Sequence, residues 1–288
     1  MNNLQKTKNS FIEKVGILPL VVAGISLILI IVTSFFGHPK ANYSGFFAVI
    51  VSFFSKSILG ISSLFNNSYG MGIIVFTILV RFLVLPLMIF QIESSKKMSV
   101  VTPFIKEIQN KYKGKRDSSS LQAMQSETSA VYKEYGVNPY ASLLPLVIQL
   151  PILMALYWSI FQTPELQEGK FLWFQLGQTD PLLILPILAA IFTFISSWMS
   201  MASMQGEQPA FAKFMPYFFP IIIFFSGINL PSALSLYWTI GNFFQVVQTF
   251  FLQNPFKIRK ENKEKEKIEK LKKKAINKKL KKVHKKRK

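Results

Sequence analysis

The chain has 288 residues, of which 50% are hydrophobic and only 17% are charged, and its 34 basic and 14 acidic residues give a net charge of +20. A soluble protein of this length has about a quarter of its residues charged, so the composition indicates a membrane protein in which apolar and basic residues are segregated. The absence of Cys excludes disulfides, thiol catalysis and Cys-ligated metals, and two His residues make a metal site or a His-dependent triad unexpected.

The N-terminal part contains two different apolar segments. The run 15–36 is longer than the apolar centre of about 7–15 residues in a cleaved signal peptide, so residues 1–37 are predicted to form a hydrophobic helix. An uncleaved signal anchor is favoured over a signal-like segment that is removed. Residues 41–67 carry an apolar stripe at spacings of three and four, with serines on the other faces. That pattern predicts an amphipathic helix in the membrane interface.

Five further hydrophobic helices are predicted in a core region, 68–253, at about 69–91, 139–161, 182–204, 211–229 and 232–253. The last two are separated because 211–251 is too long for one crossing and contains a breaker around Pro231. Residues 92–137 show two helical stripes joined by the polar turn 114–120, which predicts a helical hairpin. This hairpin is either a passive connector or a mobile working part.

The charges of the connecting segments predict the orientation. Residues 91–137 contain eight basic and five acidic residues, whereas 162–181 contains three acidic residues and one basic residue. Basic residues accumulate on the cytoplasmic side of membrane spans, so the hairpin is predicted inside and 162–181 outside. Six crossings then place the C-terminus in the cytoplasm. The fold class expected is therefore an all-α, multi-pass membrane protein.

Arg81 is a charged residue near the middle of an apolar run, about 15 Å from either end. A central Arg costs roughly 2.5–3.5 kcal/mol on insertion scales, and the predicted spans contain no Asp or Glu to pair with it. It is either a structural residue bonded to helix carbonyls or Gln149, or a positive charge in a wet cavity within the bilayer. The second reading is favoured. The missing carboxylates also argue against ion-coupled transport.

Other polar residues of the spans could line the same cavity, although each alone is more often a helix–helix hydrogen bond. They are Thr77, Gln149, Ser196, Ser197, Asn242, Gln245 and Gln248.

The tail, 254–288, is the second feature that bears on function. It contains eighteen basic and four acidic residues, which give it a net charge of +14. Its function is predicted to be contact with ribosomal RNA phosphates or with anionic lipid headgroups, and a solvated topology anchor is the alternative. The densest basic residues are Lys272, Lys273, Lys274, Lys278, Lys279, Lys281, Lys282, Lys285, Lys286, Arg287 and Lys288.

Several segments in order resemble the YidC family of membrane protein insertases in its Gram-positive form. They are 69–81 (YGMGIIVFTILVR), 132–139 (YKEYGVNP), 144–152 (LPLVIQLPI), 171–174 (FLWF) and 229–238 (NLPSALSLYW). The resemblance implies a five-helix core bundle enclosing a hydrophilic groove, in addition to the N-terminal, interfacial and hairpin helices. It matches Arg81, Thr77 and Gln149 to groove positions, and Trp238 to an aromatic residue that meets the substrate.

Two features depart from the family. Gram-positive relatives commonly carry a lipid on a Cys, which is absent here, so lipid attachment is excluded. Ser196 and Ser197 stand where the family often has Gln, which makes a direct substrate contact there less certain.

The function implied by the resemblance is that of an insertase and chaperone of a bacterial cell membrane, with no catalytic residues, metal or cofactor. The partners implied are nascent membrane proteins, the ribosome and the lipid bilayer, with or without a Sec translocon. A passive channel or small-solute transporter is the alternative function, and a structural ribosome tether is a third.

Overall fold

The computed structural model describes residues 15–39, 48–115, 117–140, 144–202, 210–253, 258 and 260. This part of the chain is predominantly helical, with one short β-hairpin. Its elements are α1 (Ile17–Phe36), α2 (Ala48–Ser63), α3 (Tyr69–Leu83), α4 (Leu85–Lys111), α5 (Ser118–Glu134), α6 (Leu144–Gln162), α7 (Pro164–Glu168), β1 (Lys170–Phe171), β2 (Phe174–Gln175), α8 (Ile184–Ala202), α9 (Ala210–Asn229) and α10 (Ser232–Gln253).

The helices pack in two groups that meet at α3. On one side α1 and α2 pack against each other and against α3, and α6 packs on α2. On the other side α10 lies between α3 and α8, and α9 covers α8. The shared core contains fully buried side chains from both groups, such as Ile58, Phe76 and Leu234. This arrangement brings α3, α6, α8 and α10 together around the polar residues of their sequences.

The bend between α3 and α4 changes the predicted first core helix. The sequence predicted one helix over about 69–91, whereas α3 ends at Leu83 and the chain turns by 51° into α4. Pro86 lies in the first turn of α4, where its missing N–H costs nothing, but it cannot continue a helix from α3. Helix α4 then runs on to Lys111 as the first arm of the hairpin, with α5 as the second.

Helix α2 covers Ala48–Ser63 of the predicted amphipathic segment and packs against α1, α3 and α6. Three of its serines, Ser55, Ser57 and Ser62, are buried, as are Ile58 and Ile61 of the apolar stripe. Ser57 donates a hydrogen bond of 3.2 Å to the carbonyl oxygen of Ile30 in α1. The serine face is therefore used for helix packing, because a small hydroxyl can bond to a neighbouring backbone at close approach. Residues 41–47 of the predicted segment lie outside the described residues.

Two of the described helices, α1 and α8, are long and apolar enough to cross a membrane, and the bent pair α3–α4 brings the number to three if it counts as one span. Helix α2 and the segments 147–162 and 216–229 are apolar but shorter. The six crossings and the cytoplasmic C-terminus remain predictions.

The connector 163–183 joins α6 to α8 and is fastened by polar contacts. Asp180 is buried and accepts hydrogen bonds from Trp173 Nε1 (2.8 Å) and from the backbone N–H groups of Leu182 and Leu185 (3.1 and 2.8 Å). The carbonyl oxygen of Gln178 accepts a bond of 2.7 Å from the Ser232 hydroxyl at the start of α10. The connector therefore ties the first turns of α8 and α10 to one another.

Candidate functional site

A cavity of about 390 Å³ lies where α3, α4, α6, α8, α9 and α10 meet. It combines one cation, several amides and hydroxyls, and apolar side chains, and none of the side chains that line it is acidic. We call it the Arg81 cavity. Its lining residues are Val80, Arg81, Val84, Leu87, Met88, Gln91, Ile148, Gln149, Ile152, Ser197, Phe219, Tyr237, Gln245 and Gln248.

The guanidinium of Arg81 is held against α10. Its Nη1 donates a hydrogen bond of 3.2 Å to Gln245 Oε1. The guanidinium also lies beside Gly241, where an added Cβ would be 2.5 Å from Nη2. The glycine thus leaves room for the cation at this point of α10. Since no carboxylate lines the cavity, the cation retains its attraction for an anion that enters it.

A second polar contact crosses the cavity wall from α6 to α10. Gln149 Nε2 donates a hydrogen bond of 3.0 Å to the hydroxyl oxygen of Tyr237. A phenol that accepts a hydrogen bond still has its own hydrogen to donate. Tyr237 is buried in the bundle core and is one of the residues that line the cavity.

Gln248 stands one turn beyond Gln245 on α10 and also lines the cavity. Its side chain is only 7% exposed, and its Nε2 has no hydrogen-bond partner among the residues that the structure describes.

Five of the residues predicted to line a polar cavity, Arg81, Gln149, Ser197, Gln245 and Gln248, thus line this one.

Two predicted groove residues bond to their own helices. Thr77 is fully buried and donates a hydrogen bond of 2.6 Å to the carbonyl oxygen of Ile73. Ser196 donates one of 3.1 Å to the carbonyl oxygen of Thr193. Neither is among the residues that line the Arg81 cavity.

Two more predicted groove residues pack within the bundle. Asn242 Nδ2 donates to Thr193 Oγ1 (2.7 Å) and to the carbonyl oxygen of Ala189 (3.3 Å), which joins α10 to α8. Trp238 is 8% exposed and belongs to the hydrophobic core. A substrate contact at these two positions, and at Thr77 and Ser196, remains a prediction from the resemblance.

The sequence did not single out several lining residues. One of them is Tyr237, whose hydroxyl oxygen accepts the hydrogen bond from Gln149. Met88 and Gln91 reach the cavity from α4 because the bend after α3 turns that helix across its wall. In the sequence only Pro86 indicates a break at this point. Because Pro is common in the first turn of many helices, it does not predict the bend.

Two acidic residues of the hairpin accept hydrogen bonds that lower the pKa of their carboxyl groups. Glu127 of α5 accepts hydrogen bonds from Lys111 Nζ (2.6 Å) and the Tyr112 hydroxyl (2.9 Å), and these bonds lower the pKa of its carboxyl. Asp117 caps α5 by accepting from the backbone N–H of Ser120 (2.8 Å). Hydrogen bonds from Ser119 and Ser120 lower the pKa of Asp117 well below its usual range.

Among the described residues, no group of three or more His, Cys, Asp and Glu side chains could hold a metal ion. The basic residues predicted to contact RNA or lipid, 272–288, lie outside the described residues.

Comparison with known proteins relates the chain to a protein family. A family model described as 60Kd inner membrane protein matches residues 60–264. The membrane protein insertase YidC 2 of Lactiplantibacillus plantarum is 50% identical over 213 residues, which cover 74% of this chain and 76% of that protein. The membrane protein insertase YidC of Pediococcus pentosaceus is 45% identical over 249 residues, 85% of this chain and 88% of the relative.

A solved structure is also similar. It is described as an active YidC insertase crystal structure with the first transmembrane domain resolved. The match has a TM-score of 0.56 and 25% identity, and it covers 72% of this chain and 47% of the other. This chain therefore spans about half the length of that protein.

Proposed function

The chain belongs to the YidC family of membrane protein insertases, and from this membership we propose that it inserts nascent membrane proteins into a bacterial cell membrane and assists their folding. The observation that supports a mechanism is the Arg81 cavity, a polar space with an uncompensated cation inside a bundle of apolar helices. The cavity receives the hydrophilic segment of the membrane protein that is being inserted, which we call the passenger.

The physical task is to move a short hydrophilic segment past a hydrocarbon layer of about 30 Å. Transfer of polar groups into hydrocarbon without hydrogen-bond partners is prohibitive. A cavity that supplies donors and acceptors part of the way into the bundle shortens the dry path. The groups that do this are the Arg81 guanidinium, the Tyr237 hydroxyl and the amides of Gln149, Gln245 and Gln248.

Arg81 supplies the positive charge that attracts acidic passengers. An acidic side chain of the passenger is attracted to the guanidinium, and the attraction is stronger in the bundle than in bulk water because the local dielectric is lower. The hydrogen bond to Gln245 Oε1 holds the guanidinium in place and uses one of its five N–H groups, so others are left for the passenger. Water in the cavity keeps the attraction weak enough for release.

Release follows from the passenger's own apolar helix. Once this helix partitions into lipid beside the bundle, the hydrophobic gain exceeds the polar contacts in the cavity. No G-x-x-x-x-G-K-[ST] phosphate-binding loop occurs in the sequence, so the mechanism requires no nucleotide hydrolysis by this chain. It is binding and transfer, with no bond made or broken.

The charges of the hairpin and of the tail support an orientation and a set of partners. The hairpin and the basic tail are placed in the cytoplasm, with the tail on ribosomal RNA and the hairpin as a mobile element beside the cavity. The protein works with or without a Sec translocon. Shortening the tail should flatten the salt dependence of ribosome binding, since fewer phosphate contacts release fewer counterions.

Site-specific photocrosslinking during synthesis of a short single-span protein tests the proposed function. A crosslinking residue replaces Gln149 or Gln245 in the cavity, and Leu172, 74% exposed in the connector, is the control position. Crosslinks to the nascent chain from both cavity positions, and none from position 172, are expected. Absence of crosslinks from the cavity positions, or a saturable small-solute flux in proteoliposomes without insertion, would contradict the proposal.

A further inference from the structure

The turn of the β-hairpin in the connector carries an unusual pair of side chains. Phe171 of β1 pairs with Phe174 of β2, so Leu172 and Trp173 form a two-residue turn between the strands. Such turns favour Asn and Gly, because they require positive φ angles that Leu adopts only at a steric cost. Leu172 nevertheless has a φ of 53° and is 74% exposed. A strained and exposed Leu at this point indicates a contact with an apolar surface.

Polar contacts hold this turn beside the first turn of α8. Trp173 Nε1 donates a hydrogen bond of 2.8 Å to the carboxylate of Asp180. The same carboxylate accepts hydrogen bonds from the backbone N–H groups of Leu182 and Leu185, at 3.1 and 2.8 Å. Asp180 is only 2% exposed, so the charge that fixes the turn is not part of the surface that the turn presents.

The first turn of α8 lies at one surface of the membrane. Helix α8 is one of the two described helices that are long and apolar enough to cross a bilayer. Its 19 residues rise about 28 Å, which is close to the hydrocarbon thickness of about 30 Å. The contacts of Asp180 therefore keep the hairpin turn at the depth where the hydrocarbon ends.

The exposed side chains at this depth are of the kinds that lipid accepts. Leu182 is 58% exposed and Trp173 is 38% exposed. Trp is enriched at the membrane–water interface, because an apolar ring with one polar N–H suits that zone. Leucine adds apolar area that gains free energy when it leaves water.

We propose that Leu172 and Trp173 insert into the lipid surface beside α8 and anchor the connector to the membrane. The three acidic residues of 162–181 predict only that this segment lies outside the bilayer, so the anchor is a property that the charges do not indicate. Burial of Leu172 in lipid offsets the steric cost of its positive φ. The anchor also fixes the first turns of α8 and α10, which the connector joins. The inference is independent of the Arg81 cavity and of the insertion reaction.

A fluorescent probe at position 172 tests the anchor. The chain contains no Cys, so Leu172→Cys provides a single site for a nitrobenzoxadiazole label. Glu168→Cys is the matched control, because Glu168 is an exposed, charged position of the same connector. Each full chain is placed in phosphatidylcholine–phosphatidylglycerol nanodiscs, in which both membrane faces are accessible. Quenching is measured with iodide in the water and with nitroxides at two depths in the lipid.

The label at position 172 should be shielded from iodide about threefold relative to the label at position 168, and it should be quenched by the shallow nitroxide more than by the deep one, since interfacial groups lie about 5–10 Å into the headgroup boundary. Iodide quenching equal to that of the control would place the turn in water and overturn the inference. Shielding from both iodide and nitroxides would show that protein covers the turn, which also overturns it.

A second variant removes the apolar group and keeps the turn. Leu172→Asn is suited to this, because Asn adopts positive φ angles at little cost. Amide hydrogen exchange of residues 170–176 in nanodiscs should be about threefold to tenfold faster in Leu172→Asn than in the unmodified protein, because part of one Leu burial is lost. Unchanged exchange would show that the side chain of Leu172 anchors nothing.

Discussion

Removal of the Arg81 charge is the most direct perturbation of the proposed mechanism. Arg81→Ala deletes the guanidinium that Gln245 and the space beside Gly241 hold in the cavity. Arg81→Lys keeps the positive charge and loses the planar fork of donors. If the charge is what matters, the Ala variant should be impaired on passengers with acidic translocated tails, and the Lys variant should keep most of its activity.

The size of the effect follows from the geometry of the cavity. A carboxylate about 5 Å from the guanidinium gains about 3 kcal/mol at an effective dielectric constant of about 20, and about 0.8 kcal/mol in bulk water. The cavity volume of about 390 Å³ is room for about a dozen waters at about 30 Å³ each. A wet site of this kind should fall between the two limits, at about 1.4 kcal/mol, which is about a tenfold change in an equilibrium constant.

The assay is insertion of a paired set of passengers into liposomes that contain each variant. One passenger carries an acidic tail and the other carries its amide counterpart. Arg81→Ala should reduce insertion of the acidic passenger about tenfold at low salt and leave the amide passenger within about twofold. Raising the ionic strength should narrow the difference, because mobile ions screen a charge in a water-accessible site.

Equal losses in Arg81→Ala and Arg81→Lys would refute the reasoning, because both variants lose the fork geometry but only one loses the charge. A loss that is the same for acidic and amide passengers would refute it as well. In that case the guanidinium would act through packing and through its hydrogen bond to Gln245 rather than through its field.

Three further predictions concern stability. Gly60→Ala places a Cβ against the carbonyl oxygen of Thr33 in α1, so it should lower the free energy of unfolding by about 1–3 kcal/mol. Gly24→Ala is the control, because an added Cβ there has nothing within 4 Å, and thermal unfolding of both variants measures the difference. Asp180→Ala leaves the Trp173 indole N–H without its acceptor and should loosen the connector, seen as a shift in indole fluorescence that the charge-neutral variant Asp180→Asn reproduces only in part. The lowered pKa of Asp117 means that its cap on α5 is fully formed above the usual Asp range near 4 and is lost as the pH falls through the lowered value, which amide exchange at the start of α5 should follow; protection that is already lost near neutral pH would contradict it.

The positions of most helices could be predicted because they depend on local composition. Long apolar runs, the polar turn of the hairpin and the breaker before α10 are properties of neighbouring residues, and they act before any tertiary contact forms. Arg81 was equally visible, since a charge in an apolar run is unusual wherever the run packs. The 51° turn after α3 was not visible, because Pro86 permits it without requiring it.

Which residues line the cavity depends on the rotation of each helix about its own axis. Tyr237 and Trp238 are neighbours in the sequence and both are buried in the core, yet only Tyr237 also lines the cavity. Likewise, Ser197 lines the cavity, whereas Ser196 bonds to a carbonyl oxygen of its own helix. Successive side chains of an α-helix point about 100° apart, so a polar residue in a span can be recognised from the sequence, but its facing is set by the helices packed around it. The sequence by itself determined that a cation and a group of amides lie within the bundle, and tertiary packing alone decided which of them share one space.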